Sequence, residues 1–143
     1  TINTLWEKGG EKLPILAQEF IDSSSYRVTY VDKETLQTAI KENNSWKCTG
    51  LYARSHKKFE IDEKLSDIIE KIKKNFDIKI CGVDLLKKGD DWHVIEVNTE
   101  PALDFFPEET SFLMDNIIDF IIKTDAIFKE NKIQKLEPLV RKI

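Results

Sequence analysis

The chain has 143 residues, of which 41% are hydrophobic, 34% charged and 10% aromatic. This composition is too apolar for a disordered chain and too charged for a membrane protein, and no apolar run approaches the roughly 18 residues that cross a bilayer. The net charge of −4 argues against nonspecific nucleic-acid binding, because affinity for phosphates depends on Lys and Arg. The sequence therefore predicts one soluble globular unit in the cytoplasm, with neither a nucleic acid nor a membrane as partner.

Three segments divide the chain by composition. Residues 1–13 show little pattern and are interpreted as a lead-in, and residues 14–128 form the predicted domain. Residues 129–143 hold five basic and two acidic residues and are interpreted as a basic C-terminal tail that forms a solvated helix end. Two cysteines, Cys48 and Cys81, are too few for a disulfide framework or a zinc site and indicate a reducing compartment.

The first half of the domain is predicted to be rich in strands. The apolar run Pro14–Ile21 predicts a first strand, and the β-branched and aromatic content of Tyr26–Val31 predicts a second. A third strand is predicted at Thr35–Ile40. Residues 41–59 are polar and irregular, which indicates a long loop with one short strand at Leu51–Ala53.

The second half adds two helices around a hairpin. Asp62 is a candidate N-cap for an amphipathic helix that extends to Phe76. Ile78–Leu86 and Trp92–Asn98 are predicted to form a hairpin, and Phe112–Phe128 a helix that is apolar on more than one face and therefore well buried. Short turns between strands and few helices favour the α+β class, with an antiparallel sheet covered by helices.

The hairpin carries the polar residues of interest. Strand side chains alternate between faces, so Trp92, Val94, Glu96 and Asn98 are predicted to share one face. Asp84 joins them only in the correct register. A three-residue loop places Asp84 opposite Glu96, whereas a two-residue loop puts Asp84 on the other face.

Two carboxylates that face each other across a sheet repel unless something positive lies between them. With the carbonyl oxygen of Asn98, Asp84 and Glu96 make a set of hard ligands suited to Mg²⁺. Three alternatives remain open. The two carboxylates could serve in general acid–base catalysis, although no third group is evident that would set their pKa values apart. Glu96 and Asn98 could simply emerge at a solvated strand end, or the chain could be a plain scaffold in which the two carboxylates lie on opposite faces.

Two stretches together resemble a known family. The arrangement GVDLL, hairpin, VIEVNTEP is similar to the metal-binding end of the ATP-grasp ligases, which include glutathione synthetase, D-alanine–D-alanine ligase and the glutamate ligases that extend ribosomal protein tails. Upstream, PILAQEFI resembles the hinge strand of that family. It is followed by a strand that carries Arg27 and by one that ends at Lys41. The resemblance covers residues 14–128 and implies the C-terminal lobe of an ATP-grasp fold.

The resemblance implies a role for each matching residue. Asp84, Glu96 and Asn98 would hold Mg²⁺, or Mn²⁺, between the phosphates of ATP, and Arg27 and Lys41 would face those phosphates as catalytic residues. The hinge backbone would bind the adenine edge, Asp22 the ribose, and a strand side chain would form the floor of the adenine site. These nucleotide contacts are Gln18, Glu19, Phe20, Ile21, Asp22 and Val94.

In such ligases ATP phosphorylates a carboxylate of a small molecule or peptide, and an amine or a thiol attacks the acylphosphate. The resemblance also implies an N-terminal lobe, which supplies phosphate-binding lysines and has no counterpart in this sequence. We therefore expect the chain alone to bind Mg-ATP weakly and to turn over little. The bulky residues Leu103–Phe106 after the metal motif are expected to shape the acceptor site. The alternative is a noncatalytic nucleotide-binding or protein-interaction domain that keeps the fold.

Overall fold

The computed structural model describes residues 18–42 and 55–140, with side chains as far as residue 130. In chain order its elements are strands β1 (Ser25–Val31), β2 (Glu34–Glu42) and β3 (Ser55–Lys57), helix α1 (Glu63–Phe76), strands β4 (Ile80–Lys88) and β5 (Asp91–Asn98), a 3₁₀ turn (Pro107–Glu109) and helix α2 (Thr110–Val140).

The strands form one antiparallel sheet in the order β3-β2-β1-β4-β5. Tight turns join β1 to β2 and β4 to β5, so the two strands of each hairpin pair with each other. Helix α1 lies between the two hairpins in the chain, and β4 pairs with the edge of β1 that β2 leaves free. The sheet confirms the predicted α+β class, in which antiparallel strands pack one face against helices.

One face of the sheet forms the apolar core with α1, and we call it the helix face. Alternate residues of each strand contribute to it, because successive side chains point to opposite sides. The buried members of this core are Val28, Tyr30, Leu65, Ile69, Ile72, Cys81, Val83, Leu85 and Trp92. The prediction that Cys81 is a buried residue is confirmed.

Helix α1 begins where the sequence predicts. The Asp62 carboxylate accepts a hydrogen bond from the backbone N–H of Leu65 at 2.8 Å, which satisfies one of the free donors of the first turn. The same carboxylate accepts the indole N–H of Trp92 at 2.9 Å and so ties the start of α1 to β5. The helix ends at Asp77, which has a left-handed φ of 48°.

One strand prediction needs correction, and one lies outside the described residues. The strand predicted at residues 14–21 is wrong for residues 18–21, which belong to no strand; residues 14–17 lie outside the described part of the chain, as does the short strand predicted at 51–53. Phe20 is exposed, and no ladder partner pairs with this segment among the described residues. The described loop region instead contains β3 at Ser55–Lys57, which pairs with the end of β2.

The prediction that the second helix is well buried is also wrong. Leu113 near the start of α2 is fully buried, but most of the later apolar side chains are exposed to solvent. The exposed ones are Phe112, Met114, Ile118, Ile121, Ile122, Ile127 and Phe128. An apolar composition on several faces indicated burial, but only the first turns of α2 reach the sheet. No helix in residues 18–42 and 55–140 has both the length and the apolar composition needed to span a bilayer.

In the β4–β5 hairpin Asp84 lies opposite Glu96, but the loop is shorter than the three residues from which this pairing was expected. Its loop contains two residues, Gly89 and Asp90, because Lys88 pairs with Asp91. Gly89 has φ +61°, a left-handed conformation that glycine adopts without strain. The expectation that a two-residue loop separates the carboxylates is wrong, because Ile95 forms a β-bulge that shifts the register by one residue.

Candidate functional site

The second face of the sheet carries charged residues, and we call it the charged face. Past the bulge, Asp84 lies directly opposite Glu96, and Gly82 lies opposite Asn98. Residues that face each other in an antiparallel pair point to the same side. The structure therefore brings together the three predicted metal ligands, Asp84, Glu96 and Asn98, on the charged face.

Arg27 and Lys41 meet on Asp84. Arg27 is the direct partner of Asp84 across β1 and β4, and its Nε and Nη2 donate to the two carboxylate oxygens at 2.8 and 2.6 Å. Lys41, at the end of β2, donates from Nζ to Oδ1 at 2.7 Å. We call these three residues the cation–carboxylate cluster. They carry one net positive charge, and they supply the positive neighbours that opposed carboxylates require.

Both cations of the cluster are buried. Arg27 is 5% exposed and Lys41 is 4% exposed. Burial alone raises the pKa of Asp84, but the hydrogen bonds from Arg27 and then Lys41 outweigh it, so this pKa lies below its ordinary value. The carboxylate is therefore ionised at neutral pH, which is the form that a metal ion binds.

Asp84 has limited capacity for a further ligand. Oδ1 accepts from both Arg27 and Lys41, whereas Oδ2 accepts only from Arg27. Each carboxylate oxygen has two lone pairs, so Oδ2 keeps one for a metal ion. Further coordination by Asp84 requires one of the two cations to move to another anion.

Glu96 and Asn98 complete a ligand set that fits Mg²⁺. Glu96 is exposed and makes no hydrogen bond or ion pair with the described residues, so its oxygens are open to solvent. Asn98 Oδ1 accepts the backbone N–H of Glu100 at 2.8 Å, which leaves a second lone pair. No group of three or more His, Cys, Asp or Glu side chains in the described part of the chain is arranged to hold a metal ion. The set thus consists of two carboxylates and an amide, and water or phosphate oxygens must fill the remaining positions.

Gly82 makes room for the Arg27 guanidinium, a role that the sequence analysis missed. A Cβ at this position would collide with Nη1 of Arg27 and lie 2.8 Å from Cβ of Pro101. The guanidinium therefore fits into a slot over the glycine, from which it reaches Asp84. A glycine inside a strand pattern is itself a signal of close approach, and that signal was present in the sequence.

A second missed residue is Phe105, which covers the cluster. Its ring is 8% exposed, and its centroid lies 5.6 Å from Cζ of Arg27 and 5.5 Å from Nζ of Lys41. Nη1 of Arg27 is buried beneath this cover and has no hydrogen-bond partner among the described residues. An unsatisfied guanidinium N–H is a strong donor, and a phosphate oxygen is the kind of acceptor that it fits.

The predicted adenine contacts lie at the hairpin end of β4. Residues 18–20 are exposed, and Glu19 forms an ion pair with Lys88 at 2.5 Å. Ser23 Oγ accepts the backbone N–H of Lys87 at 3.0 Å and so fixes this segment beside β4. The roles assigned to residues 18–22 stay predictions.

Val94 does not share a face with Glu96, so that prediction is wrong. Val94 pairs with Leu85, a residue of the helix-face core, and Trp92 packs in that same core. The bulge at Ile95 moves Glu96 and Asn98 to the opposite side from Trp92 and Val94. The proposed adenine floor at Val94 therefore has no geometric basis on the charged face.

Comparisons with known proteins agree with this geometry. Residues 4–121 match the family model described as the RimK-like ATP-grasp domain. No curated protein sequence matches the chain. The family match spans every strand of the described residues and the whole of the site described above.

Solved structures with a similar fold include the ATP-grasp ligase PsnB in several complexes. The complex with precursor peptide PsnA2 and AMPPNP has a TM-score of 0.55 at 18% identity, covering 72% of this chain and 34% of PsnB. The complex with a minimal precursor, Mg and ADP has a TM-score of 0.55 at 17% identity, with the same coverage. A complex with a phosphomimetic precursor variant gives 0.56 at 17% identity. The chain thus spans about a third of the length of the solved ligases that it matches.

Proposed function

The chain belongs to the RimK-like ATP-grasp domain family, and we propose that it is the nucleotide- and metal-binding part of an ATP-dependent ligase. One observation carries the proposal: the pairing of β4 with β1 and β5 gathers two carboxylates, an amide and two buried cations on one face. The plain scaffold, in which Asp84 and Glu96 lie on opposite faces, is excluded by this register.

Asp84, Glu96 and Asn98 would hold Mg²⁺, with Mn²⁺ as a substitute, and the metal would neutralise charge on the transferring phosphoryl group. Arg27 and Lys41 bind phosphate oxygens. Nη1 of Arg27 is buried without a partner among the described residues and is ready to donate to such an oxygen. The backbone of residues 18–21 binds the adenine edge and Asp22 the ribose.

The proposed reaction joins a carboxylate to an amine or a thiol. The γ-phosphoryl group of ATP passes to a carboxylate oxygen with release of ADP, and the nucleophile then attacks the acyl carbon, loses its proton and displaces phosphate. The substrate class that we favour is a carboxylate on a peptide. Support comes from the PsnB ligase, which has a similar fold and was solved with precursor peptides.

Positioning and charge neutralisation are the main contributions of this face to catalysis, as is usual for phosphoryl transfer. An N-terminal lobe of the same protein would supply the remaining phosphate contacts, so the isolated chain is expected to bind nucleotide weakly. We assign the protein to the cytoplasm, where ATP and Mg²⁺ are available. The free, buried thiol of Cys81 is compatible with a reducing compartment.

The binding role is tested by titrating the chain with AMPPNP in the presence and absence of Mg²⁺. Glu96→Gln keeps the size of the side chain and removes the charge of a ligand. We expect it to weaken Mg²⁺-dependent binding by more than about tenfold, since even outer-shell partners of a metal site contribute that much.

Asp91→Asn is the matched control, because Asp91 lies on the same strand and forms an exposed ion pair with Lys64. Equal binding by the Glu96 variant and the parent chain would contradict the metal role. Binding without ADP formation, when the N-terminal lobe and acceptor peptides are supplied, would favour the noncatalytic alternative.

A further inference from the structure

The segment after β5 folds back over the charged face. Residues 99–109, which we call the covering loop, end in the 3₁₀ turn and place Phe105 against both cations of the cluster. The His56 ring lies 5.0 Å from the Phe105 ring and packs beside it. The covering loop thus leaves Arg27 and Lys41 almost inaccessible to solvent.

Glu109, the last residue of the covering loop, attaches the loop to Gln37 of β2 and to Lys58. Glu109 accepts hydrogen bonds from Lys58 Nζ and from Nε2 of Gln37, the latter at 3.1 Å. Lys58 Nζ also lies 5.5 Å from the centroid of the Phe106 ring. The Lys58 side chain is 60% exposed and the Glu109 side chain 23% exposed, so water competes for this ion pair on the side of the lysine.

These contacts conflict with the proposed role of the cluster. A phosphate oxygen cannot reach Nη1 of Arg27 or Nζ of Lys41 while Phe105 covers them. Glu96 is open to solvent, but the cover separates Arg27 and Lys41 from it. The attachment at Glu109, where water competes for the lysine, is the place where the covering loop can detach.

We propose that Phe105 is a gate over the cation–carboxylate cluster and that Glu109 is the positioning residue that holds this gate shut. The closed gate lets Arg27 and Lys41 satisfy Asp84 in the absence of nucleotide, and opening frees both cations for phosphate. The purpose of the gate depends on the proposed function, whereas its existence does not.

Opening is measured without nucleotide through the rate at which an acylating reagent modifies Lys41, followed by mass spectrometry. Lys73, a shielded lysine on α1, is the internal reference. Glu109→Gln removes the charge that binds Lys58, and we expect Lys41 to react about two- to fivefold faster, the range that the loss of an exposed ion pair allows.

Glu108→Gln is the matched control. Glu108 lies in the same turn and carries the same charge, but it makes no ion pair with the described residues. Phe105→Ala is expected to accelerate Lys41 labelling more than Glu109→Gln does. If the Ala variant also exposes Lys73, its fold is perturbed, and Phe105→Leu replaces it.

Unchanged Lys41 labelling in both the Glu109 and the Phe105 variants, relative to the parent chain, would overturn the gate. An equal increase in Glu108→Gln would do so as well, because it would reflect charge alone. Addition of Mg²⁺ and AMPPNP is expected to protect Lys41 in every variant. Absence of protection together with faster labelling of Glu109→Gln would contradict the proposed function and still support the gate.

Discussion

The two faces of the sheet are built from the same strands and differ in almost every physical property. Along β1, Val28 and Tyr30 enter the dry core beneath α1, while Arg27, which precedes Val28, points to the charged face. Along β4, Val83 and Leu85 flank Asp84 in the same way. A strand can therefore supply a core and a site at once, since neighbouring residues never share a face.

The comparison also separates two sources of stability. The helix face depends on the burial of apolar surface, which is nondirectional and tolerates small changes of shape. The charged face depends on the balance of buried charges, where the removal of one partner leaves another group unsatisfied. Substitutions on the two faces should therefore fail for different reasons, and three of them test this.

The largest effect is expected for Asp84→Ala on the charged face. Two buried cations would lose their common partner, and breaking a buried ion pair in this way costs about 3–5 kcal/mol of the free energy of unfolding. Urea denaturation measures the loss. Asp91→Ala removes an exposed carboxylate paired with Lys64 and should cost about 1 kcal/mol or less. Equal losses of stability in the two variants would mean that water reaches the cation–carboxylate cluster as it reaches the exposed ion pair of Asp91.

On the helix face, Leu65→Ala should cost about 2–5 kcal/mol, because a fully buried leucine leaves a cavity beneath the sheet. The measurement is again the free energy of unfolding. Ile121→Ala on α2 is the control, since that side chain is 53% exposed and the change should fall within about 0.5 kcal/mol. A large loss at Ile121 would show that α2 is packed in solution.

The smallest effect is expected at Gly82, which lies opposite Asn98 on the charged face. The backbone of this residue belongs to the sheet, but a side chain there would push the Arg27 guanidinium out of its slot. Gly82→Ala should cost about 1–3 kcal/mol, as overpacking usually does. A double-mutant cycle with Arg27→Ala checks the cause. If the cost of Gly82→Ala stays the same without Arg27, the slot is not the reason.

Much of this arrangement could be predicted because local patterns were unambiguous. The Asp62 cap, the spacing of apolar residues in α1 and the β-branched content of β1 each indicated the element that forms. The opposition of Asp84 and Glu96 is one of the two registers that the sequence left open. These features depend on residues close together in the sequence.

The remaining features depend on contacts that the sequence pattern does not encode. The β-bulge at Ile95 leaves no signature in the sequence pattern. The loop length alone therefore gave a wrong explanation of the register between β4 and β5. The exposure of α2 depends on where the helix leaves the sheet, and the cover by Phe105 depends on how residues 99–109 fold back. Apolar composition indicated burial for α2, which was wrong, and nothing in the sequence pattern indicated that Phe105 covers the cluster.

The bulge in the β4–β5 hairpin decides which face of the sheet the later residues of β5 point to. After a turn of two residues, regular pairing would direct Glu96 to the helix face. The extra residue Ile95 shifts the alternation by one residue, so Glu96 points to the charged face. Deletion of Ile95 would join Val94 directly to Glu96, so Asp84 and Glu96 would remain opposite each other in a regular ladder. The ligand set needs the bulge only because Ile95 separates Val94 from Glu96. Straightening the strand with Ile95 retained would place Ile95 opposite Asp84 and turn Glu96 toward the helix face.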